Sequence, residues 1–230
     1  MFEPGEIISY MQMCQEEGSS LQRGMNFRHG GIGVILMSVR RGAPYGDRVE
    51  DDGKTLIYEG HDSPRTASCI QPKTVDQPEN LPSGGPTQNG LFWHAALAHK
   101  SRGDAAARFR VYEKIRMGIW AYAGLFELVD AWKEQSGRRQ VYKFKLRVCE
   151  DQSILNEHKP LEIDHTRIVP TDVKQVVWKR DRGKCVLCGS TKNLHFDHIL
   201  PFSKGGTSLL ARNVQLLCAK HNLEKRDKIE

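Results

Sequence analysis

CVLCGSTKNLHFDHILPFSKGGTSLLARNVQLLCAKHN, residues 185–222, decides how this chain is read. The stretch opens on Cys185-x2-Cys188 and closes on Cys218-x2-His221-Asn222. Two Cys/His pairs at this spacing are a standard way to hold one structural metal ion. Between the pairs stand Asp197-His198 and then Asn213. A unit of about 60 residues cannot bury much core, and a bound metal compensates for that. Cys185, Cys188, Cys218 and His221 are therefore expected to hold one structural Zn²⁺ and to fasten a hairpin to the final helix.

The enclosed residues carry a second chemistry. Phosphodiester hydrolysis needs an aimed nucleophile and a cation to meet the charge that builds at phosphorus and the leaving oxygen. A histidine near its ordinary pKa can take a proton from water at neutral pH. A carboxylate with a side-chain carbonyl can hold Mg²⁺ and leave positions open for phosphate and water. Asp197, His198 and Asn222 supply those types, and adjacent residues at a strand end point to opposite faces. In this order they resemble the HNH family of ββα-metal endonucleases. The resemblance implies that His198 is the general base and that Asp197 and Asn222 ligate a catalytic Mg²⁺ or Mn²⁺. It implies that Asn213 braces the histidine loop. Asn213 and Asn222 are nine residues apart, the family's spacing, and Asn222 stands where the family's letters have a second histidine. Lys225, one turn beyond Asn222, could reach a phosphate. His195, on the strand before Asp197, reads as a structural or surface histidine, and Cys14, Cys69 and Cys149 read as packing residues.

The bulk numbers agree. The 230 residues include 39% hydrophobic and 27% charged side chains, a globular composition. The net charge of +6 has one location: residues 171–230 hold 12 Lys and Arg against 6 Asp and Glu, and residues 1–170 hold 22 of each. An excess confined to the candidate nuclease segment suits a phosphate-bearing polymer. No apolar run reaches about 18 residues, so no membrane span is expected. The opening MFEPGEIISY lacks the pattern of a secretory signal. Six cysteines without such a signal point to a reducing compartment, the cytoplasm.

The chain divides near 153–170, a polar stretch with Pro160 and Pro170 that reads as a linker or docking segment. The expected organisation is a domain over 1–152, a linker over 153–170 and a nuclease domain over 171–230. The fold class is α+β. Strands are expected at 33–39, 54–59, 108–114, 118–129 and 140–148, the last half-buried with Lys143, Lys145 and Arg147 outward. Residues 72–90 should form a long loop, and Asn89 should cap a helix to about 99. In the second part a helix begins at Thr171 and stops at Gly183, short strands follow at 184–187 and 193–201, and 213–228 is the last helix.

Residues 1–150 contain Tyr45-Gly46-Asp47, the run 51–60 (DDGKTLIYEG), Arg110-Val111-Tyr112, the run 124–129 (GLFELV) and the run 142–146 (YKFKL). Together and in this order they resemble the SRA (SET and RING associated) domain. That resemblance implies a twisted β-barrel or sheet with flanking helices that accepts a modified cytosine flipped out of duplex DNA. A flipped cytosine needs flat surfaces to replace its stacking, an acceptor for its N4 amine, and donors for O2 and N3. Tyr45 and Tyr58 are the candidate flat surfaces, and Asp47 or a neighbour is the candidate acceptor. Backbone N–H groups around Glu59 and Gly60 are the candidate donors.

The whole chain is therefore expected to be an SRA-like reader fused to a zinc-stabilised HNH nuclease, acting on double-stranded DNA that carries 5-methylcytosine or a related base. One such site cuts one strand, so a double-strand break calls for a homodimer or repeated nicking. Bacterial defence against modified foreign DNA is the expected setting. The alternatives are an HNH nicking or mobile-element enzyme without modification preference, and a methyl-DNA reader whose nuclease is silent.

Overall fold

The run GVILM forms strand β3 (Gly33–Met37) in the computed structural model, with apolar packing on both of its faces. The structure describes residues 2–39, 42–50, 54–67, 69–149, 168–201, 204 and 206–225. With β3, the larger sheet contains β1 (Ile7–Ser9), β2 (Met25–Asn26), β4 (Arg48–Val49), β5 (Thr55–Glu59), β6 (Arg108–Arg116), β7 (Ile119–Ser136) and β8 (Arg139–Val148). The strand order is β2-β3-β6-β7-β8-β5-β4, and β1 pairs beside the start of β7. β3 and β6 are parallel, and the other pairs are antiparallel.

β7 gives the sheet its shape. It pairs with β6 from Ile119 to Glu127 and with β8 from Phe126 to Ser136, with register shifts after Val111, Lys114 and Leu128. Such bulges bend a strand and increase its twist. The sheet curls until β3 and β5 face each other, although β6, β7 and β8 lie between them in hydrogen-bonded order. The two edges meet through side chains: Tyr58 Oη donates to Leu36 O at 3.4 Å, and Asp47 accepts from the backbone N–H of both Ser38 (3.3 Å) and Glu59 (3.0 Å). Helix α2 (Gln88–Arg102) fills the hollow with Phe92 and Ala96, and Phe92 stacks on Phe109 at 4.4 Å. On the outer face, α1 (Tyr10–Glu16) packs Met13 with Val34, Tyr112 and Tyr122. There the buried carboxylate of Glu17 meets Arg28 (3.0 Å), Arg110 (2.9 Å) and the hydroxyl of Tyr112 (2.6 Å).

Several details differ from the sequence expectation, each for a tertiary reason. Thr87, not Asn89, caps α2 by accepting from Gly90 N, and Asn89 is buried and binds the chain at His61. Lys143 is 4% exposed rather than outward, because Glu59 on the neighbouring strand neutralises it at 2.8 Å.

The second part contains α3 (Thr171–Arg180), the antiparallel pair β9 (Leu194–His198) and β10 (Val214–Cys218), and α4 (Ala219–Lys225). Pro170 occupies the cap of α3, and the Thr171 hydroxyl instead binds Glu113. The chain leaves the helix through Gly183 at φ +63°, where a Cβ would stand 2.8 Å from the Trp178 ring. Residues 184–187 are not a strand: they make a tight turn whose Val186 N–H reaches Leu216 O. Residues 213–228 are not one helix either. Short apolar runs fit a buried strand or a helix equally well, and Val214, Leu216 and Leu217 are buried in β10 before the chain turns into α4. Residues 226–228 lie outside the described residues, as does most of the expected linker. No helix among the described residues is long and apolar enough to cross a membrane.

The two parts share one core. Ile115 and Ala121 of the larger sheet pack with Val173 and Val177 of α3 and with Leu194, Phe196 and Leu216 of the small hairpin. Where the chain re-enters the described residues, Ile168 joins the first core and Val169 the second. Residues 5–6 stitch the sheets together: Gly5 N donates to Tyr122 O on β7 while Gly5 O accepts from Phe196 N on β9, and Glu6 bridges to His195. Beside them Glu113, fully buried, accepts from the Thr171 hydroxyl and the Lys174 ammonium. Removing one partner of a buried ion pair costs about 3–5 kcal/mol. Lys174→Ala is thus expected to destabilise both parts together. Circular dichroism and tryptophan fluorescence should report one coincident denaturation transition at lower denaturant, and two separated transitions would refute the shared core.

Candidate functional site

The metal cluster is built by two turns. Cys185 and Cys188 sit on the turn after α3, closed by Cys185 N to Ser190 O and Gly189 N to Cys185 O, with Gly189 at φ +72°. Cys218 ends β10 and His221 lies in the first turn of α4. The four ligand atoms lie within 4.8 Å of one another. Cys188 Sγ and Cys218 Sγ are 3.8 Å apart, and His221 Nδ1 is 3.4 Å from Cys185 Sγ and 3.3 Å from Cys218 Sγ. Zn–S bonds of about 2.3 Å in a tetrahedron give ligand separations of about 3.8 Å, so three thiolates and an imidazole fit zinc here. Burial resists ionisation of Cys185, but hydrogen bonds from the Cys218, Cys188 and Leu187 backbone and from His221 outweigh it and bring the thiol down to about 6. At neutral pH this sulfur is already in the form a metal takes.

The same hairpin presents Asp197 and His198 at the end of β9, opposite Gln215 and Val214. Asp197 is 6% exposed. Its Oδ2 meets Lys225 Nζ at 2.8 Å and Gln215 Nε2 at 3.4 Å. Lys225 Nζ also donates to the His198 carbonyl at 2.5 Å, so one ammonium holds the carboxylate and the backbone beside it. Lys225 is itself buried, 2% exposed, and does not face outward to a phosphate. His198 Nε2 lies 2.9 Å from the hydroxyl of Ser208, which is buried. Asn213 reaches across the loop after His198: its Oδ1 accepts from Leu200 N (2.8 Å), and its Nδ2 donates to Leu200 O and Thr207 O (3.1 Å each). Its backbone carbonyl accepts from Ile199 N. Gly206 lets this loop close, since a Cβ there would fall 1.8 Å from Leu200 O. Asn222 stands one turn before Lys225 on α4, and its buried Oδ1 has no hydrogen-bond partner among the described residues. An orphaned amide oxygen and a carboxylate fit a hard divalent cation. Ser208 is new relative to the sequence reading, because nothing in a loop serine's local pattern marks it.

The third arrangement lies at the seam between β3 and β5. Asp47 stands there between the Ser38 and Glu59 amides, and burial pushes its carboxyl up to about 7 against those two hydrogen bonds. Glu59 is enclosed: its Oε2 takes Lys143 Nζ (2.8 Å) and Gly46 N (2.9 Å), and Arg139 stands 3.6 Å from Oε1. The amides expected to meet a base are already engaged, Glu59 N by Asp47 and Gly60 N by Tyr142 O. Tyr58 is 2% exposed, within the core. Tyr45 is half-buried, with the Lys73 ammonium 4.7 Å above its ring. His61, which the sequence reading passed over, lies 5.8 Å ring to ring from Tyr45 and 3.3 Å from Tyr58 Oη through Nε2. Burial, with the Arg23 charge, brings this imidazole down to about 4, so it is neutral at physiological pH.

Residues 185–228 match the HNH endonuclease family. The crystal structure of SUVH5 SRA with hemi-methylated CG DNA is similar at 24% identity, covering 66% of this chain and 91% of that one, with a TM-score of 0.46. KRYPTONITE in complex with mCHH DNA, H3(1-15) peptide and SAH is similar at 18% identity, covering 66% and 32%, with a TM-score of 0.44. Arabidopsis thaliana SUVH6 in complex with SAM is similar at 19% identity, covering 66% and 26%, with a TM-score of 0.38. No curated protein matches the chain.

The cluster gives a direct test. Structural zinc supplies about 10–16 kcal/mol in small peptides, more than a unit of this size can lose. Cys218→Ser is expected to abolish zinc in elemental analysis of the purified protein and to expose Trp178, seen as red-shifted emission. A variant that kept a full complement of zinc would remove the cluster from its role.

Proposed function

We propose that this protein is a modification-dependent DNA endonuclease. Its first domain accepts 5-methylcytosine, or a related modified cytosine, flipped from the duplex, and its HNH site hydrolyses the backbone nearby. The observation that carries the reading is the Asp197–His198 pair with the orphaned Oδ1 of Asn222, inside a segment that matches the HNH family. The basic excess of residues 171–230 supports a polyanionic substrate.

In this reading His198 takes the proton of the attacking water, held in place by Ser208 at Nε2 and by the Asn213-braced loop. Asp197 and Asn222 hold Mg²⁺ or Mn²⁺, which when bound neutralises charge on the scissile phosphate and the departing oxygen. Cys185, Cys188, Cys218 and His221 hold Zn²⁺ and keep α4 against the hairpin. In the first domain Asp47 accepts from the N4 amine of the flipped base, with Tyr45 against its face and Tyr58 and Glu59 fixing the surrounding walls. A homodimer in a bacterial cytoplasm, one site for each strand, completes the proposal.

The test uses matched plasmids, unmodified, 5-methylated and 5-hydroxymethylated, with Mg²⁺ or Mn²⁺. Cleavage confined to modified plasmid is expected. His198→Ala should lower its rate by about 10²–10⁴-fold and leave binding of the modified duplex within about twofold of wild type, as expected of a proton-transfer residue. Equal cleavage by that variant would dismiss His198 as the base, and equal cleavage of every plasmid would dismiss the modified-base reading. Asp47→Ala should remove the preference for modified DNA while zinc content stays at the wild-type level, and a retained preference would place the acceptor elsewhere.

A further inference from the structure

We infer that the groove between the β6–β7 turn and α3 binds the sugar–phosphate backbone of the DNA duplex, so that both parts of the chain grip one stretch of it. The inference rests on the proposal that the protein acts on DNA, and it names a surface that holds the duplex.

The groove encloses about 580 Å³. Arg116 and Met117, in the turn that joins β6 to β7, form one wall, and Gln175, Trp178, Lys179 and Arg182 form the other. The second set is spaced i, i+3, i+4 and i+7, so it makes one stripe along α3 and the turn that ends it. The walls are joined. Gln175 Nε2 donates to Ile115 O at 2.8 Å, and Ile115 shares a core with Val173 and Val177 of the helix. The groove is therefore built by the packing of the two parts on each other.

Its charge is of one sign. Arg116, Lys179 and Arg182 are exposed, no acidic residue lines the groove, and none of the three forms an ion pair among the described residues. The nearby acids are engaged elsewhere: Asp181 takes Arg180 at 2.6 Å and the Leu216 N–H, and Glu113 takes Lys174 and Thr171. A helix C-terminus attracts cations by itself, which accounts for Lys179 and Arg182. It does not account for Arg116, which comes from the larger sheet. Arg182 also stands at φ +56°, a left-handed backbone position that favours glycine or asparagine. Three like charges on one groove repel one another until an anion enters.

The rest of the lining suits a nucleic-acid backbone. Trp178 is half-buried and Met117 is 89% exposed, so apolar surface stands beside the cations, as deoxyribose alternates with phosphate. The groove also adjoins the hairpin of the candidate cutting site. Arg180, next to Lys179, donates to Ala211 O (2.8 Å) and Val214 O (2.7 Å), and Val214 pairs with His198. Backbone gripped by Lys179 and Arg182 is thus gripped by the same end of the helix that binds the strand opposite His198.

The experiment uses the full chain carrying His198→Ala, so that DNA is not cut, with and without the triple change Arg116→Gln, Lys179→Gln and Arg182→Gln. Kd is measured between about 50 and 200 mM salt for a duplex with one central 5-methylcytosine and for its unmodified counterpart. Each lost phosphate contact lowers the slope of log affinity against log salt by about 0.9. The triple change is therefore expected to lower that slope by about 2 to 3 and to weaken both duplexes alike, by about tenfold or more at the lower salt. The ratio between the two duplexes stays as in the parent, because backbone contacts carry no base information. Arg116→Lys with Lys179→Arg and Arg182→Lys, which keeps the charges, is expected to hold slope and affinity within about threefold of the parent and serves as the check on folding. An unchanged slope would overturn the inference and leave the groove to an acidic partner other than DNA. So would a loss confined to the modified duplex, or an equal loss in the charge-keeping protein. A parent that binds neither duplex would instead remove the DNA reading beneath it.

Discussion

A hairpin of two five-residue strands and one short helix cannot enclose a core of its own, and the C-terminal part of this chain is arranged around that constraint. Two remedies act together. One is the Cys185, Cys188, Cys218 and His221 cluster, which ties the turn after α3 to the start of α4. The other is borrowed apolar surface: Phe196, Leu216 and Val214 pack with Ile115 and Ala121 of the larger sheet. Burial of this kind scales with area, and the larger domain has area to lend. Asp197 and His198 sit at the end of a strand fixed by both remedies, so the geometry of these two side chains is set by residues far from them in the chain.

Buried charge marks the places where elements must meet in one register. Glu113 with Lys174 joins the two cores, Glu59 with Lys143 joins β5 to β8, Glu17 with Arg110 joins α1's end to β6, and Asp197 with Lys225 joins β9 to α4. Such pairs contribute little net stability over apolar packing, and breaking one partner away is costly. They therefore act as locks on alignment. Asp47 is different. Its oxygens meet only backbone N–H groups, and its carboxyl is pushed up to about 7 by burial. A carboxyl left without a close cation in an otherwise well-paired protein suits a site with work to do.

The parts of the protein that were legible in the sequence are those carried by spacing. The two Cys/His pairs, the Asp197–His198 pair and the two asparagines lie close in the chain, and their chemistry depends on that order. The strands of the larger sheet were legible from alternation and β-branched runs. What escaped was set by contacts between distant segments. Lys225 reads as an exposed cation until Asp197 is seen 2.8 Å away. Lys143 follows the outward phase of β8 until Glu59 draws it in. Val214–Cys218 satisfies both helical and strand periodicity, and only its pairing with β9 decides. His61 stood directly after the run that drew attention to Tyr58, yet its placement depends on Asn89 and Gly24, neither of which is its neighbour in sequence.

Residues 5–6 are hydrogen-bonded on one side to β7 and on the other to β9. During synthesis the first of these contacts can form as soon as β7 has emerged, but the second must wait for β9. Until then the outer edge of this segment is an open row of backbone donors and acceptors, the kind of edge that invites wrong partners. β9 closes it. The hairpin bearing Asp197 and His198 is consequently seated only on a larger sheet that is already in place.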